Sequence, residues 1–472
     1  MRTSSAEVLV ELDRSRPRGL RAQVEDELRD AIRSGRLTAG TPLPSTRALA
    51  ADLGVTRGVI VAAYDQLLAE GYLASRPGSG TVVNARSESR PVTPRLARPE
   101  TRVVVDFRPG LPDLGLFPRA AWLRATRAAL QTLPDEQLGY ADPRGLPELR
   151  DALAGYLGRV RGVSTSSDRV LICNGFAHGL GLVVRALQDL GHSLFAVENP
   201  GHDGPRTELE WLGARYRGVA VDADGIVVDD LRRSRARAVV MTPAHHYPTG
   251  TVLSAPRRTA VAAWAREVGG YVLEDDYDAE YRYDRHPIGA LQGVAPDRVI
   301  YSGTLSKSLV PGLRLGWLVL PPALLEPIVA HREATDHSTS SITQAAFVQF
   351  LANGDLDRHL RRTRRTYRQR RDALIDALGR WFPEATTSGI AAGLHLLVTL
   401  PDDFDEALVT EHARAAGIRV YPLGKYRTDR QEDRPPAFVL GYGTLAPADM
   451  DASVRLFAEA AASSRTAGRS AG

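Results

Sequence analysis

Apolar residues recur along this chain in two rhythms, and the change between them near Asn84 divides it in two. In the first part the period is helical: Leu20, Val24, Leu28, Ala31 and Ile32 share one face, and Gly35 stops that helix. Pro44-Ser45-Thr46-Arg47 carries an N-cap signal and opens a short second helix through Leu49 and Leu53. After the turn at Gly54-Val55, a third helix starts at Thr56 and points Val59, Ala63, Leu67 and Leu68 inward. Gly71-Tyr72-Leu73 and Gly78-Ser79-Gly80-Thr81-Val82-Val83 then read as a two-stranded wing. Two short helices joined at a glycine turn and followed by a hairpin describe a winged helix-turn-helix, the alternative being three packed helices of an accessory domain.

Residues 84–104 are rich in Pro, Ser and Arg, without a periodic apolar face, and read as an extended linker between a first domain at 1–83 and a larger one at 105–462. The last ten residues, 463–472, read as a disordered tail. Between linker and tail the rhythm changes to short apolar runs separated by helical stretches: Arg169-Val-Leu-Ile-Cys173, Ser193-Leu-Phe-Ala-Val-Glu198, Ala238-Val-Val-Met-Thr242, Tyr271-Val-Leu-Glu-Asp275 and Arg298-Val-Ile-Tyr301. That alternation predicts an α/β fold with a mostly parallel sheet covered on both faces. Ligands of such sheets lie at the carboxyl ends of the strands.

At 472 residues, with 43% hydrophobic and 25% charged residues and a net charge of +4, the chain has the composition of a soluble protein of two or three domains. So mild an excess of base means that nucleic-acid binding has to rest on a motif. A single cysteine, Cys173, excludes an internal disulfide and fits a reducing cytoplasm. Neither an apolar leader nor a run of about 18 apolar residues occurs, so secretion and membrane insertion are not expected.

Of the 60 basic residues only Lys307 and Lys425 are lysine. A guanidinium serves wherever a charge or a hydrogen-bond fork is needed, but it cannot lose its proton and attack an aldehyde. An ε-amine can, forming Schiff bases with carbonyl compounds and with pyridoxal phosphate (PLP). Lys425 reads as a surface lysine. Lys307 stands among the hydroxyls of Ser302, Thr304 and Ser306, with Arg314 seven residues on, which suits a phosphate beside an aldehyde. Asn174-Gly-Phe-Ala-His-Gly places glycines and a helix start after the first apolar run, an anion-binding arrangement or a plain strand-to-helix turn. After the fourth stands Glu274-Asp275-Asp276-Tyr277-Asp278, a crowd of carboxylates that calls for a cation such as a protonated pyridine nitrogen. A metal site or a solvated acidic loop is the alternative, although no nearby histidine has a ligand spacing and no metal is expected.

The segment from Leu43-Pro-Ser-Thr-Arg to Ala63-Tyr-Asp-Gln-Leu-Leu-Ala-Glu-Gly-Tyr-Leu closely resembles the GntR-type winged-helix family. The resemblance implies a bacterial module that binds double-stranded operator DNA as a dimer, with Thr56, Arg57 and Gly58 nearest the bases and Arg47 and the wing residues Ser79, Gly80 and Thr81 approaching phosphates. Farther on, Tyr140-Ala-Asp-Pro-Arg-Gly, Glu198-Asn-Pro-Gly-His, Thr242-Pro-Ala-His-His-Tyr-Pro-Thr-Gly, Glu274-Asp-Asp-Tyr-Asp and Ser302-Gly-Thr-Leu-Ser-Lys resemble a fold-type I PLP enzyme of aminotransferase class I/II. That resemblance implies a Schiff base on Lys307, a pyridinium partner at Asp275 and cofactor contacts from Tyr247 and Tyr277, the latter to the ring hydroxyl. Gly175, Phe176, Ala177, Thr304, Ser306 and Arg314 would hold the phosphate.

A GntR-type winged helix ahead of an aminotransferase-like domain is similar in architecture to the MocR subfamily of transcription regulators. What this implies is PLP on Lys307, either as the sensed signal or as the hook on which an amine or amino-acid effector forms an external aldimine, with the homodimer usual for such folds. The alternative is an aminotransferase with an accessory N-terminal domain, and residual half-transamination would fit both. A constitutive DNA-binding protein with a vacant fold is a third reading. The run Arg358-His-Leu-Arg-Arg-Thr-Arg-Arg-Thr-Tyr-Arg-Gln-Arg-Arg371 holds eight arginines that would touch DNA phosphates or form a solvated helix face. Three departures from the family pattern stand out. His202 replaces a tyrosine and His246 a glutamine, while the last strand, Ala437-Phe-Val-Leu-Gly-Tyr-Gly443, carries no arginine to clasp a carboxylate, leaving Arg430 or Arg434 on the preceding loop.

Overall fold

The computed structural model describes residues 12–14, 19–76, 80–84, 103–140, 142–278, 280–283, 288–429 and 434–465. Its contacts divide the chain into two compact units, 1–98 and 99–472, a division that falls inside the predicted linker. Most of that linker, the wing residue Ser79, Arg430 and residues 466–472 of the predicted tail lie outside the described residues.

The first unit has helices α1 (Leu20–Arg33), α2 (Thr46–Asp52) and α3 (Arg57–Ala69), then antiparallel strands β1 (Leu73–Arg76) and β2 (Gly80–Val83). The Ser45 hydroxyl accepts from the Ala48 N–H at 3.2 Å, so the predicted cap holds α2. The buried face of α3 is rotated from the expected one: Ile60, Ala63, Tyr64 and Leu67 are buried, while Val59 and Leu68 are only partly covered. Tyr64 explains the shift, because its ring packs in the core while its hydroxyl reaches the Pro44 carbonyl at 3.0 Å.

The second unit is built on an eight-stranded sheet, in spatial order Val170–Cys173, Gly316–Val319, Val299–Thr304, Tyr271–Asp276, Ala238–Met241, Leu194–Asn199, Arg215–Asp222 and Gly225–Ile226. The five predicted apolar runs are all strands of it. Gly316–Val319 runs antiparallel to both neighbours, whereas the block from Val299–Thr304 across to Arg215–Asp222 is parallel. The central strands are buried on both faces, as continuous apolar runs require. Thr386–Ser388, His395–Thr399 and Ala437–Gly441 form a smaller antiparallel sheet under the 27-residue helix Asp355–Trp381 and the helix Pro447–Ala462.

Order extends past the expected start of the tail. Ser464 is buried, its N–H reaches the Ala461 carbonyl at 2.8 Å, and its hydroxyl meets His412 Nδ1 at 2.7 Å. The arginine-rich helix is neither a plain solvated face nor a free cationic one. Arg358 pairs with Asp355, Arg362 with the Leu116 carbonyl, Arg364 with the Glu280 carbonyl, Arg368 with the Tyr283 carbonyl, and buried Arg370 with Asp113 and the Gly443 carbonyl. Arg361 and Arg365 stay exposed. Most of this charge therefore braces the fold. No helix of the described residues is long and apolar enough to cross a membrane.

Candidate functional site

Strand Val299–Thr304 ends in the short helix Leu305–Ser308, and this sharp strand-to-helix junction lifts Lys307 at the carboxyl edge of the sheet. The parallel pairing of that strand sets Ser302 opposite Asp275 and Gly303 opposite Asp276, so the lysine segment and the acid cluster meet. Gly110 completes the enclosure: a Cβ there would stand 3.4 Å from Lys307 Nζ. Burial lowers the Lys307 ammonium from its usual range, against the pull of Asp275 and Asp278. More of the amine is thereby left neutral and nucleophilic.

Of the four acids in this cluster, one keeps a carboxyl oxygen without a partner. Glu274 accepts the backbone N–H of Leu291 and Gln292 at 2.8 and 2.9 Å. Asp276 is held by Arg161 and by the Tyr301 hydroxyl, each at 2.7 Å, and Asp278 by His245 at 2.9 Å. Asp275 Oδ1 alone among them is buried without a hydrogen-bond partner. Desolvation first, and then the charge of Asp276, raises the Asp275 carboxyl well above its ordinary range.

On the other side, Gly175 (φ 91°) precedes the helix Phe176–Asp189, whose first amides, those of Phe176 and Ala177, have no intrahelical acceptor. The Arg314 guanidinium lies over this turn: a Cβ on Gly175 would press on its atoms at 3.2–3.4 Å, and the positive φ also favours glycine there. Thr304 Oγ1 caps the lysine helix by accepting from the Ser306 N–H at 3.1 Å and meets Ser306 Oγ at 3.0 Å. A helix N-terminus, an arginine and two hydroxyls thus converge into a cup for an anion.

Aromatic groups form the remaining wall. The Tyr277 hydroxyl is 3.2 Å from His245 Nδ1, and the Tyr247 hydroxyl is 3.0 Å from that of Tyr426. Every described cofactor-site residue named from the sequence falls at this one edge of the sheet. In the first unit Arg47, Thr56, Arg57, Gly58 and Gly80 are exposed and Thr81 partly so, as a nucleic-acid-facing surface requires.

Several neighbours escaped the sequence reading. Lys425 is the surface lysine expected, and it also has a partner: its Nζ pairs with Asp203 at 3.2 Å and lies over the Tyr426 ring, beside His202, which packs edge-on against Tyr247. Behind them, burial raises Glu198 to about 8 and lowers His246 to about 3. Their side chains are 3.6 Å apart, and we take them as a neutral acid beside a neutral imidazole, since desolvation outweighs the two hydrogen bonds that Thr242 donates to Glu198. His395, at the start of its strand, is buried against His245 and Tyr247. Rarity and neighbouring hydroxyls exposed Lys307; His202 and His246 stood out only as departures from the family pattern, and nothing in local spacing marks Glu198 or His395 as their neighbours. The last strand, Ala437–Gly441, is buried throughout without an arginine, and Arg434 is exposed.

Comparison with known proteins agrees with both halves of this geometry. Residues 20–83 match the family of bacterial regulatory proteins, gntR family, and residues 112–427 match aminotransferase class I and II, whose members depend on PLP. The chain is 33% identical to the probable rhizopine catabolism regulatory protein MocR of Rhizobium meliloti, over 93% of each chain. It is 33% identical to the HTH-type pyridoxine biosynthesis transcriptional regulator PdxR of Corynebacterium glutamicum, over 93% of this chain and 95% of that one. A solved structure of the kynurenine aminotransferase of Pyrococcus horikoshii superposes with a TM-score of 0.70 at 25% identity, covering 78% of this chain and 92% of that one. Fold and site therefore define a transcription regulator with a winged-helix DNA-binding module and a fold-type I aminotransferase-like domain. More particularly, the chain belongs to the MocR-type regulators of the GntR family.

The residues present fit the cofactor of that family. A buried, unpartnered carboxyl oxygen, a half-buried amine and a glycine turn under the Arg314 guanidinium are the three features PLP requires.

Proposed function

We propose that this regulator holds PLP at Lys307 and that occupancy of the cleft, by PLP alone or by PLP with a small amine, changes its affinity for operator DNA. When bound, PLP supplies an aldehyde for amines and a ring nitrogen whose protonated form draws electrons. The chain's own part is then specific. Lys307 presents an amine whose charged form burial disfavours, and Asp275 offers an unpartnered carboxyl oxygen to the ring nitrogen. Tyr277 and Tyr247 offer hydroxyls on the opposite edge, while Arg314, Thr304, Ser306 and the amides following Gly175 orient the phosphate. The observation that carries this reading is the orphaned Asp275 Oδ1 facing the same cleft as the half-buried Lys307.

The winged helix would read operator DNA with Thr56, Arg57 and Gly58 in the major groove and Arg47, Gly80 and Thr81 near phosphates. A homodimer would present two such modules to paired half-sites in the bacterial cytoplasm. Because the last strand offers no arginine, clasping an α-amino-acid carboxylate would fall to Arg430 or Arg434 of the preceding loop, and regulation rather than steady transamination is the activity proposed. Coupling between cleft and operator is reciprocal: DNA must shift ligand affinity by the factor by which ligand shifts DNA affinity. The test is to reduce the loaded protein with borohydride, locate the adduct by mass spectrometry, and measure binding of its own upstream DNA with and without PLP. An adduct on Lys307 with altered DNA affinity is expected; an adduct elsewhere or none overturns the site, and unchanged DNA affinity overturns the sensing.

A further inference from the structure

The anion cup is fastened from outside the cleft. Arg314 has a left-handed backbone (φ 48°) and donates through Nη2 to the Asn174 carbonyl. Asn174 is in turn tied at two more points. Its N–H reaches His178 Nδ1 at 3.0 Å, and its side-chain amide donates to Asp336 Oδ2 at 2.8 Å. Asp336 is the hub of the far side: Arg332, fully buried, reaches it at 3.1 Å, stands 2.9 Å from His178 Nδ1 and donates to buried Thr339 at 2.7 Å. Since His178 Nδ1 accepts from the Asn174 N–H, any ring proton of the neutral imidazole sits on Nε2, which faces Asp336 at 3.6 Å. None of Asn174, His178, Arg332 or Asp336 is among the groups assigned to the cofactor.

We propose that Asn174 and Asp336 are positioning residues for the phosphate cup: their hydrogen bond fixes the Asn174 carbonyl and, through it, the Arg314 guanidinium over the helix start, so that the cleft prefers a phosphorylated ligand to the same molecule without its phosphate. This rests on the reading of Arg314 and Gly175 as the phosphate site. The physical reason is the cost of ordering. An arginine side chain loses rotamer freedom when held, and a guanidinium already held in place binds its anion without that loss. The Asn174–Gly175 peptide, tied at three points, is the support on which it is held.

The experiment compares PLP with pyridoxal, which lacks the phosphate, by absorbance titration of the full-length protein, with inorganic phosphate as a competitor. Asn174→Ala retains the backbone carbonyl that Arg314 uses and removes only the tether. It is expected to weaken PLP about tenfold and to leave pyridoxal within about twofold, one lost charge-assisted hydrogen bond amounting to roughly that factor. Asp336→Asn keeps an oxygen for the Asn174 amide and is expected to lose less, about threefold on the same scale. Equal weakening of both ligands, or of neither, in a variant whose melting temperature matches the parent overturns the proposal. A parent protein that itself binds PLP no better than pyridoxal, or is not competed by phosphate, overturns the phosphate site beneath it; that result is read without any variant, so the two failures are distinct.

Discussion

Arg161 and Asp276 form a buried two-point ion pair, Nε to Oδ2 at 2.7 Å and Nη2 to Oδ1 at 3.1 Å, one residue along the strand from Asp275. The pair decides which acid faces the cleft. Strand alternation sends Asp276 to the opposite side, where Arg161 and Tyr301 neutralise it, and leaves Asp275 pointing away from both. Breaking such a pair from one side strands a charge. Arg161→Leu is therefore expected to cost about 3–5 kcal/mol of unfolding free energy, measured by urea denaturation. A loss below 1 kcal/mol on that scale would mean that Asp276 finds another partner.

Asp275→Asn should act in opposite directions on the empty and loaded protein. Without cofactor it removes a desolvated carboxylate beside Asp276 and Asp278, so stability is expected to rise, by about 1–3 kcal/mol. With PLP present it removes the partner of the ring nitrogen, and affinity should fall by a factor on the order of ten or more. Thermal melting with and without PLP reads both; a variant less stable when empty would contradict the orphaned state of Oδ1.

Glu198 predicts a pH dependence. Its carboxyl is raised to about 8 in the folded chain against an ordinary 4.5, so between those values the folded state keeps a proton that the unfolded state has lost. Its contribution to stability is full below pH 4.5 and is lost as pH rises towards 8. His246, lowered from 6.5 to about 3, works the other way, but only below pH 6.5. Between pH 6.5 and 8 the Glu198 contribution is thus unopposed by His246, while Glu274 and Glu280, both raised to about 7, add to it. Glu198→Gln is expected to flatten the fall in melting temperature across this window. An unchanged slope would place an ionised Glu198 beside a protonated His246.

Arg57 and Arg47 are exposed at the start of α3 and within α2. If each meets the operator, Arg47→Ala should lower the slope of log affinity against log salt by about one and weaken all sequences alike. Arg57→Ala, nearest the bases, should lose about 1–3 kcal/mol on the operator and less on unrelated DNA. Fluorescence anisotropy at several salt concentrations separates them, and equal losses on both DNAs for Arg57 would remove it from base readout.

The strands of the large sheet were legible because a strand covered on both faces must be a continuous apolar run, and each of the five runs is one. The α3 face was misjudged because Ile60 and Tyr64 were left out of the apolar periodicity that was read there. Lys307 was legible through scarcity and its neighbouring hydroxyls. Lys425 shared the scarcity but not the neighbours; its ion pair with Asp203 joins residues more than 200 apart in sequence, and no local pattern encodes that.

By itself the sequence determined the two modules, the helical and parallel-strand periodicities and the amine and acid that face each other, because these follow from side-chain chemistry and from the short range of backbone geometry. Only the tertiary structure decided which of four clustered acids keeps an unpartnered oxygen, which arginines brace the fold, and how Asp336 reaches back to Asn174. Hydrogen bonds and charges act over a few ångströms of space, and distance along the chain says nothing about which groups will be brought within that range.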